Sequence, residues 1–422
     1  MHKLTSSVFR IMDGENIIYC LLRDHDRLDR LGNPGEIDLL IQGNQIGRLR
    51  EPLARLGFIS LPNWGHKPHH FFVAYDEGYD SWLKLDIVTE IAYGAPDHVL
   101  RTTLGAGCLK NRRRVDSVFI PSPEDELVTL LLHCVLDKGR FSLHGQSRLR
   151  ALRRQVTDEG YISALLISYW SPTITWPQLV ELIDAENWAA LLAAREVVAG
   201  RMANHNRLGT LGRKLRDRIL RKSNRWAVLG QLHPPSVALL APDGAGKSTL
   251  AVGVQESFYF PVHSVYMGLY DSRNKKESMH LPIPGLGFVR RLVTQWRRYL
   301  SARYHQARGQ LVIFDRYTYD ALVPPRQPLN WPRQVRRWLL AHACPAPDLV
   351  IMLDAPGETL FDRKGEHTPS FLERQRQSYL QLSDRLPQMT VVDATKSAEC
   401  IRREVTGLIW QRYTERSSDF GG

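Results

Sequence analysis

The chain has 422 residues, 43% of them hydrophobic and 24% charged, with a formal charge of +12. This is globular composition, which excludes a disordered or fibrous chain, and the length points to two domains. The positive balance favours anionic partners, with nucleotides, nucleic acid and acidic lipid all qualifying.

The first half opens with strand candidates: GEIDLLIQ from position 35, HHFFVAY from 69 and WLKLDIVT from 82. Glu36 and Asp38 stand two apart, so on a strand both point to one face, and Asp86 adds a third carboxylate from a later strand. Three carboxylates converging from two strands could hold two Mg²⁺ ions for in-line attack on the α-phosphate of a nucleotide. His66, His69 and His70 in HKPHHFF read as loop and strand residues rather than metal ligands. Helical runs follow, SPEDELVTLLLHCVLDK from 122 and WPQLVELIDAENWAALLAAREVVAG from 176. His133, in the first of these, reads as a satisfied core histidine.

Residues 201–226 carry nine Lys or Arg and one acid, Asp217, and precede HPPS. That composition marks a boundary. Leu208, Leu211, Leu215 and Ile219 recur at helical spacing beneath the basic face, which suits a solvated linker helix packed on its own protein or a helix lying on an anionic surface of lipid or nucleic acid. The expected division is therefore residues 1–200, a basic linker at 201–235, and a second domain at 236–415.

In the second half SVALLA (236–241), GQLVIFD (309–315), PDLVIMLD (347–354) and MTVVDA (389–394) read as strands, and GKSTLAVGVQESF (246–258) as a helix. Nearly continuous apolar strands alternating with helices predict an α/β fold, a parallel sheet covered on both faces. LLAPDGAGKSTLA (239–251) is a strand, a bend and Gly-Lys-Ser opening a helix, which aims consecutive backbone N–H groups and a helix N-terminus at phosphate oxygens. Gly244 and Gly246 supply conformations closed to bulkier residues. Lys247 would reach the β and γ phosphates, and the Ser248 hydroxyl would help hold Mg²⁺. The place where such loops begin with glycine is taken here by Ala241, small enough for the turn to survive.

PDGAGKST, GQLVIFDRYTYD, PDLVIMLDAP, RKGEHTPSFLERQRQSYLQL and VVDATKSAE occur in an order that resembles the thymidylate kinase family, across about 236–410. The resemblance implies ATP and Mg²⁺ as cofactors, with Asp243, Gly244, Ala245, Gly246, Lys247, Ser248 and Thr249 forming the nucleotide loop. It places Asp243 toward the acceptor, Asp315 beside Mg²⁺ or its waters, and Arg316 on the acceptor's phosphate. Arg363 and Lys364 fall in the lid, whose cations neutralise the transferring phosphoryl group. Arg374 and Arg376 on the following helix stand two apart and cannot share a face. The Arg-Glu-Pro segment usual in that family is replaced by VHSVYMGLYDSRNKK, which leaves the acceptor open between dTMP, a sugar, a modified nucleotide and another phosphorylated metabolite. The basic run RRLVTQWRRYLSARYHQAR, with Arg297, Arg298 and Arg303, is either part of the acceptor site or an exposed helix face.

LLRDHD, the acidic strand positions and SPEDELVTLLLHC resemble an uncharacterised branch of the nucleotidyltransferase superfamily over about 15–145, implying an α+β domain with a helical extension. Its metal ligands would be Glu36, Asp38 and Asp86. Glu36 replaces the usual Asp, and the upstream Gly-Ser pair is missing. Three activities follow: a kinase for a small phosphate or hydroxyl acceptor, an ATP-gated interaction protein, and a bifunctional nucleotidyltransferase-kinase acting on a sugar or sugar phosphate. The five scattered cysteines show no CxxC spacing, no secretory pattern opens the chain, and the apolar stretch 161–170 falls short of the roughly 20 residues of a membrane span. A cytoplasmic protein without a transmembrane segment is expected, with homodimerisation open.

Overall fold

The structure is a computed structural model that describes residues 3–23, 25, 35–61, 69–94, 99–171, 174–205, 233–268, 286–324 and 329–419. The chain divides into two compact units, Met1–Ala227 and Val228–Gly422. Most of the basic segment 201–226 lies outside the described residues, as does His66. Among the described residues no helix is long and apolar enough to cross a membrane.

The first unit begins with α1 (Lys3–Gly14), β1 (Tyr19–Leu21), β2 (Glu36–Ile41), α2 (Ile46–Arg55), β3 (Ile59–Ser60), β4 (His69–Asp76) and β5 (Ser81–Val88). The strands form one sheet in the order β1-β2-β5-β4-β3, with β2 and β5 parallel and the other pairs antiparallel. Alternation of side chains decides what each face carries. Ile37, Leu39 and Ile41 of β2 join Leu83, Leu85 and Ile87 of β5 in one core with Val8, Phe9 and Leu49 from the helices. The opposite face presents Glu36, Asp38 and Leu40, in register with Lys84, Asp86 and Val88.

Behind that second face come β6 (Ala92–Tyr93), β7 (Leu100–Arg101), α3 (Leu104–Lys110), β8 (Arg113–Val115) and β9 (Val118–Ile120), then a helical layer. Its members are α4 (Pro123–Leu132, continued by a wider turn over His133–Lys138), α5 (Leu143–Arg153), α6 (Glu159–Tyr169), α7 (Trp176–Asp184), α8 (Trp188–Ala193) and α9 (Arg195–His205). The Ser122 hydroxyl accepts from the Asp125 amide to start α4, as an N-cap residue should. The run from 176 is not one helix. Glu186 adopts φ 52° and the Asn187 side chain accepts from Ala190 N, so a new cap interrupts the apolar periodicity.

In the second unit β10 (Ser236–Leu240), β11 (Val262–Tyr266), β12 (Leu311–Asp315), β13 (Leu349–Asp354) and β14 (Met389–Asp393) form a parallel sheet in the order β11-β12-β10-β13-β14. Every residue of the central β10 is buried. Helices α10 (Lys247–Ser257), α11 (Leu286–Ala307), α12 (Trp331–Ala341), α13 (Gly357–Lys364), α14 (Pro369–Leu380) and α15 (Ala398–Asp419) accompany it. A core of Ala238, Leu240, Phe314, Met352 and Tyr379 fills one face, while α10 packs against α15. The carboxyl ends of the strands, where ligands of open α/β sheets settle, carry the loop after β10 and Asp315, Asp354 and Asp393.

Candidate functional site

Between β10 and α10 the chain turns through Gly244 and Gly246, at φ 90° and 89°, where a Cβ would be strained. A methyl on Gly244 would lie 2.5 Å from the carbonyl oxygen of Leu360 in α13, so backbone meets backbone there. Lys247 opens α10 and folds back over the loop, its Nζ donating to the carbonyls of Ala241 and Pro242 at 2.8 Å each. Ala241, 1% exposed, keeps the turn that a first glycine would otherwise make. Lys247 is 7% exposed, and that burial, with Arg316 acting in the same direction, brings its ammonium down to about 8 against the pull of Asp243, Asp320 and Asp315. Ser248 and Thr249 follow on the exposed start of α10.

Asp243 Oδ1 accepts from Arg316 Nη2 at 2.5 Å and lies 3.9 Å from Lys247 Nζ, so one carboxylate stands between the two cations. Arg316 follows β12 at φ 65° and also faces Asp320 at 3.5 Å, whose Oδ1 accepts from the Tyr379 hydroxyl at 2.9 Å. Burial works against the Arg316 charge, but Asp320 and then Asp243 hold it more firmly protonated than usual. Burial likewise raises Asp320, with Arg316 opposing it. Asp315 sits at the end of β12, in register with Leu239 and Tyr266, and its carboxylate has no ion pair among the described residues. The Ser248 hydroxyl is likewise uncommitted there, so the two are fitting donors for a hard divalent cation.

From α11, Gln295 and Arg298 both donate to Gly268 O at 3.3 Å, and the Arg298 guanidinium lies over the Tyr266 ring at 5.3 Å. Arg303 instead bonds Gln306 at 2.6 Å, and Arg297 is exposed. Only part of the basic run thus turns toward the Arg316 side. Gln295, 2% exposed, was not singled out by sequence reasoning, because an amide in a basic helix gives no periodic signal.

A cavity of about 560 Å³ extends on the other side of the loop, lined by Ala245, Gly246, Thr249, Arg363, Lys396 and Arg402 among others. Arg363 donates to Ala394 O at 2.9 Å, so in this structure it closes the cavity between α13 and the turn after β14. Lys364 pairs with Glu366 at 3.0 Å. Arg376 grips Asp354 through two bonds, 2.5 and 2.9 Å, and Glu373 at 2.8 Å. Arg374 is exposed.

In the first unit the ligand atoms of Glu36, Asp38 and Asp86 lie within 4.8 Å of one another. Lys84 lies 2.6 Å from Glu36 and Arg23 3.1 Å from Asp38, and the His69 ring is hydrogen-bonded with Asp86 at 2.8 Å. The register that brings the carboxylates together also delivers Lys84 to the same face. His133 is partnered by Asp137 at 2.9 Å.

No protein-family model matches the chain. Part of it is 32% identical over 123 residues to a "Probable thymidylate kinase" of Thermococcus onnurineus, covering 26% of this chain and 56% of that protein. A second, from Thermococcus gammatolerans, is 33% identical over 118 residues, covering 24% and 52%. The chain spans about half the length of these two curated relatives. A third, from Sulfolobus acidocaldarius, is 25% identical over 185 residues, covering 40% of this chain and 92% of that protein. Among solved structures, one of deoxyadenosine kinase from M.mycoides with bound dATP is similar at 12% identity and a TM-score of 0.31, covering 42% of this chain and 98% of that one. The sequence relatives support a P-loop kinase segment.

Proposed function

We propose that the second unit is an ATP-dependent phosphotransferase that moves the γ-phosphate of ATP to a nucleoside monophosphate, dTMP-like, or to another small phosphate or hydroxyl acceptor. The observation that carries this reading is the gathering of two cations, Lys247 and Arg316, around Asp243 of the loop. Lys247 is clamped on the carbonyls of the loop, and Asp243, 3.9 Å from it, holds Arg316 from the end of β12. Phosphoryl transfer asks a protein for position and positive charge rather than covalent work, and this arrangement supplies both.

In this reading the cavity beside Thr249, Arg363 and Arg402 takes the nucleoside part of ATP, and its phosphates run along the loop under Lys247. Arg363 bears on the nucleotide from the end of α13. Arg316, fixed by Asp243 and Asp320, directs its guanidinium at the acceptor's phosphate, a geometry in which arginine outperforms lysine. Ser248 and Asp315 would hold Mg²⁺, which supplies neutralisation of charge between the β and γ phosphates. The test is ADP release measured against nucleoside monophosphates, sugars and sugar phosphates. Release should depend on the acceptor and vanish in Lys247→Ala; ATP binding without acceptor-stimulated turnover would overturn the reading in favour of an ATP-gated interaction protein.

The first unit carries no catalytic proposal. A pair of divalent ions draws its affinity from uncompensated negative charge, and at Glu36 and Asp38 that charge is already opposed by Lys84 and Arg23. The three ligand atoms still lie close enough together to hold a metal ion once those two cations move aside.

A further inference from the structure

A cavity of about 220 Å³ in the first unit lies where the end of β1 meets α4 and α5, and four cationic side chains line it: Arg23, Lys138, Arg140 and Arg148. Two of them are already committed. Arg23 reaches Asp38 at 3.1 Å, and Arg148 forks onto Glu126 at 2.6 and 2.7 Å. Glu126, the carboxylate lining the same cavity, is 4% exposed and fully engaged by that fork, so it leaves no free negative charge facing inward. Lys138 and Arg140 make no hydrogen bond or ion pair through their side chains among the described residues. They are exposed, on the turn that joins the end of α4 to α5. The start of α5 completes the wall with Ser142, His144 and Gly145, and its partial positive charge points the same way.

We propose that this cavity binds a phosphate-type oxyanion, either free or as the phosphate end of a small metabolite. The charge count matches. Two cations uncompensated among the described residues and a helix start complement a dianion, and the arginines offer fork geometry for its oxygens. The volume matches as well, since whole small molecules occupy roughly 300–1,000 Å³ and this space is smaller. It seats one or two phosphate groups, and the remainder of a larger ligand would stay outside.

The local field agrees with the geometry. His133, also lining the cavity, is lowered from the usual histidine value by burial, with Arg23 and Lys138 adding to that against the help of Asp137. Burial pushes the neighbouring Cys134 thiol up to about 11, and there too Arg23 and Lys138 are the charges pulling it back. Arg23 and Lys138 are thus felt at both groups, with Asp137 opposing them at each. The inference is independent of the kinase reading, because it concerns the other unit.

Calorimetric titration of pyrophosphate into the full chain carrying Lys247→Ala, which disables the phosphate loop, tests it. A saturable site should remain, and adding Lys138→Ala with Arg140→Ala should weaken it at least roughly tenfold. Removing two exposed cations elsewhere in the unit, Arg10→Ala with Arg50→Ala, should leave it unchanged. Absence of the site, indifference to the Lys138 and Arg140 changes, or equal weakening by the Arg10 and Arg50 changes would overturn the proposal. Comparing inorganic phosphate with ribose 5-phosphate identifies the carrier: tighter binding of the sugar phosphate marks a metabolite's phosphate end, tighter binding of the inorganic ion a free anion, and either supports the site.

Discussion

Asp243 and Arg316 hold each other across the gap between the phosphate loop and the end of β12, Oδ1 and Nη2 2.5 Å apart. The two are 73 residues apart in the chain, and both are partly buried, at 29% and 23% side-chain exposure. Asp243 also stands 3.9 Å from Lys247 Nζ, so the pair borders the lysine of the loop.

If Asp243 and Arg316 act as one unit on the acceptor, their losses will not add. Asp243→Ala and Arg316→Ala should each lower kcat/KM for the acceptor, with a coupling of about 1–2 kcal/mol in the double variant. Steady-state kinetics of the four proteins measures it; additive losses would separate the residues' roles.

The lowered Lys247 gives nucleotide affinity a pH dependence of definite sign. The free loop loses its ammonium proton as pH rises past about 8, whereas bound polyphosphate keeps it, so Kd for ATP should climb above that pH, approaching about tenfold per unit. Lys247→Arg should flatten the profile. Folding shows the complementary effect: between about 8 and the roughly 10.4 of an unfolded lysine the unfolded chain binds more protons, so this residue's contribution to stability rises with pH across that window. Equilibrium binding and unfolding across the range check both signs.

Two glycines of one loop should respond differently to the same methyl group. At Gly246 a Cβ meets nothing within 4 Å, so Gly246→Ala should cost only the backbone strain of its positive φ, about 1–2 kcal/mol. At Gly244 the methyl would collide with Leu360 O, so Gly244→Ala should cost more, about 3 kcal/mol or above, and displace α13. Denaturant unfolding of the two variants ranks them.

Arg376 and Arg374 separate by stability rather than catalysis. Arg376→Ala removes the fork on Asp354 and the bond to Glu373, and should destabilise by about 1–3 kcal/mol. The exposed Arg374 should tolerate alanine within about 0.5 kcal/mol. Thermal unfolding monitored on both variants decides the order.

The strands β10, β12 and β13 were legible because burial on both faces makes them continuous apolar runs. β11 was not: at the sheet edge only Val265 of VHSVY is buried, and His263 and Ser264 bring polar side chains into the pattern. Glu36, Asp38 and Asp86 could be placed on one face from spacing alone. The pairing of the first two could not, since it depends on Lys84 falling opposite Glu36 and on Arg23 reaching back from another strand's end. The same limit hid the bond from Tyr379 to Asp320, 59 positions away, and the attachment of Arg376 to Asp354. Local periodicity reports which face a residue occupies, and says nothing of which distant partner will arrive there.

The approach of Leu360 O to Gly244 makes the bottom of the phosphate cradle a bearing surface for the rod that carries Arg363. Only a hydrogen atom fits in that bearing, so neither part has slack with respect to the other. A change in the loop at Gly244 would therefore press on the helix at Leu360, and a shift of that helix would press on the loop. One missing side chain thereby brings the loop's backbone against the helix three residues before Arg363.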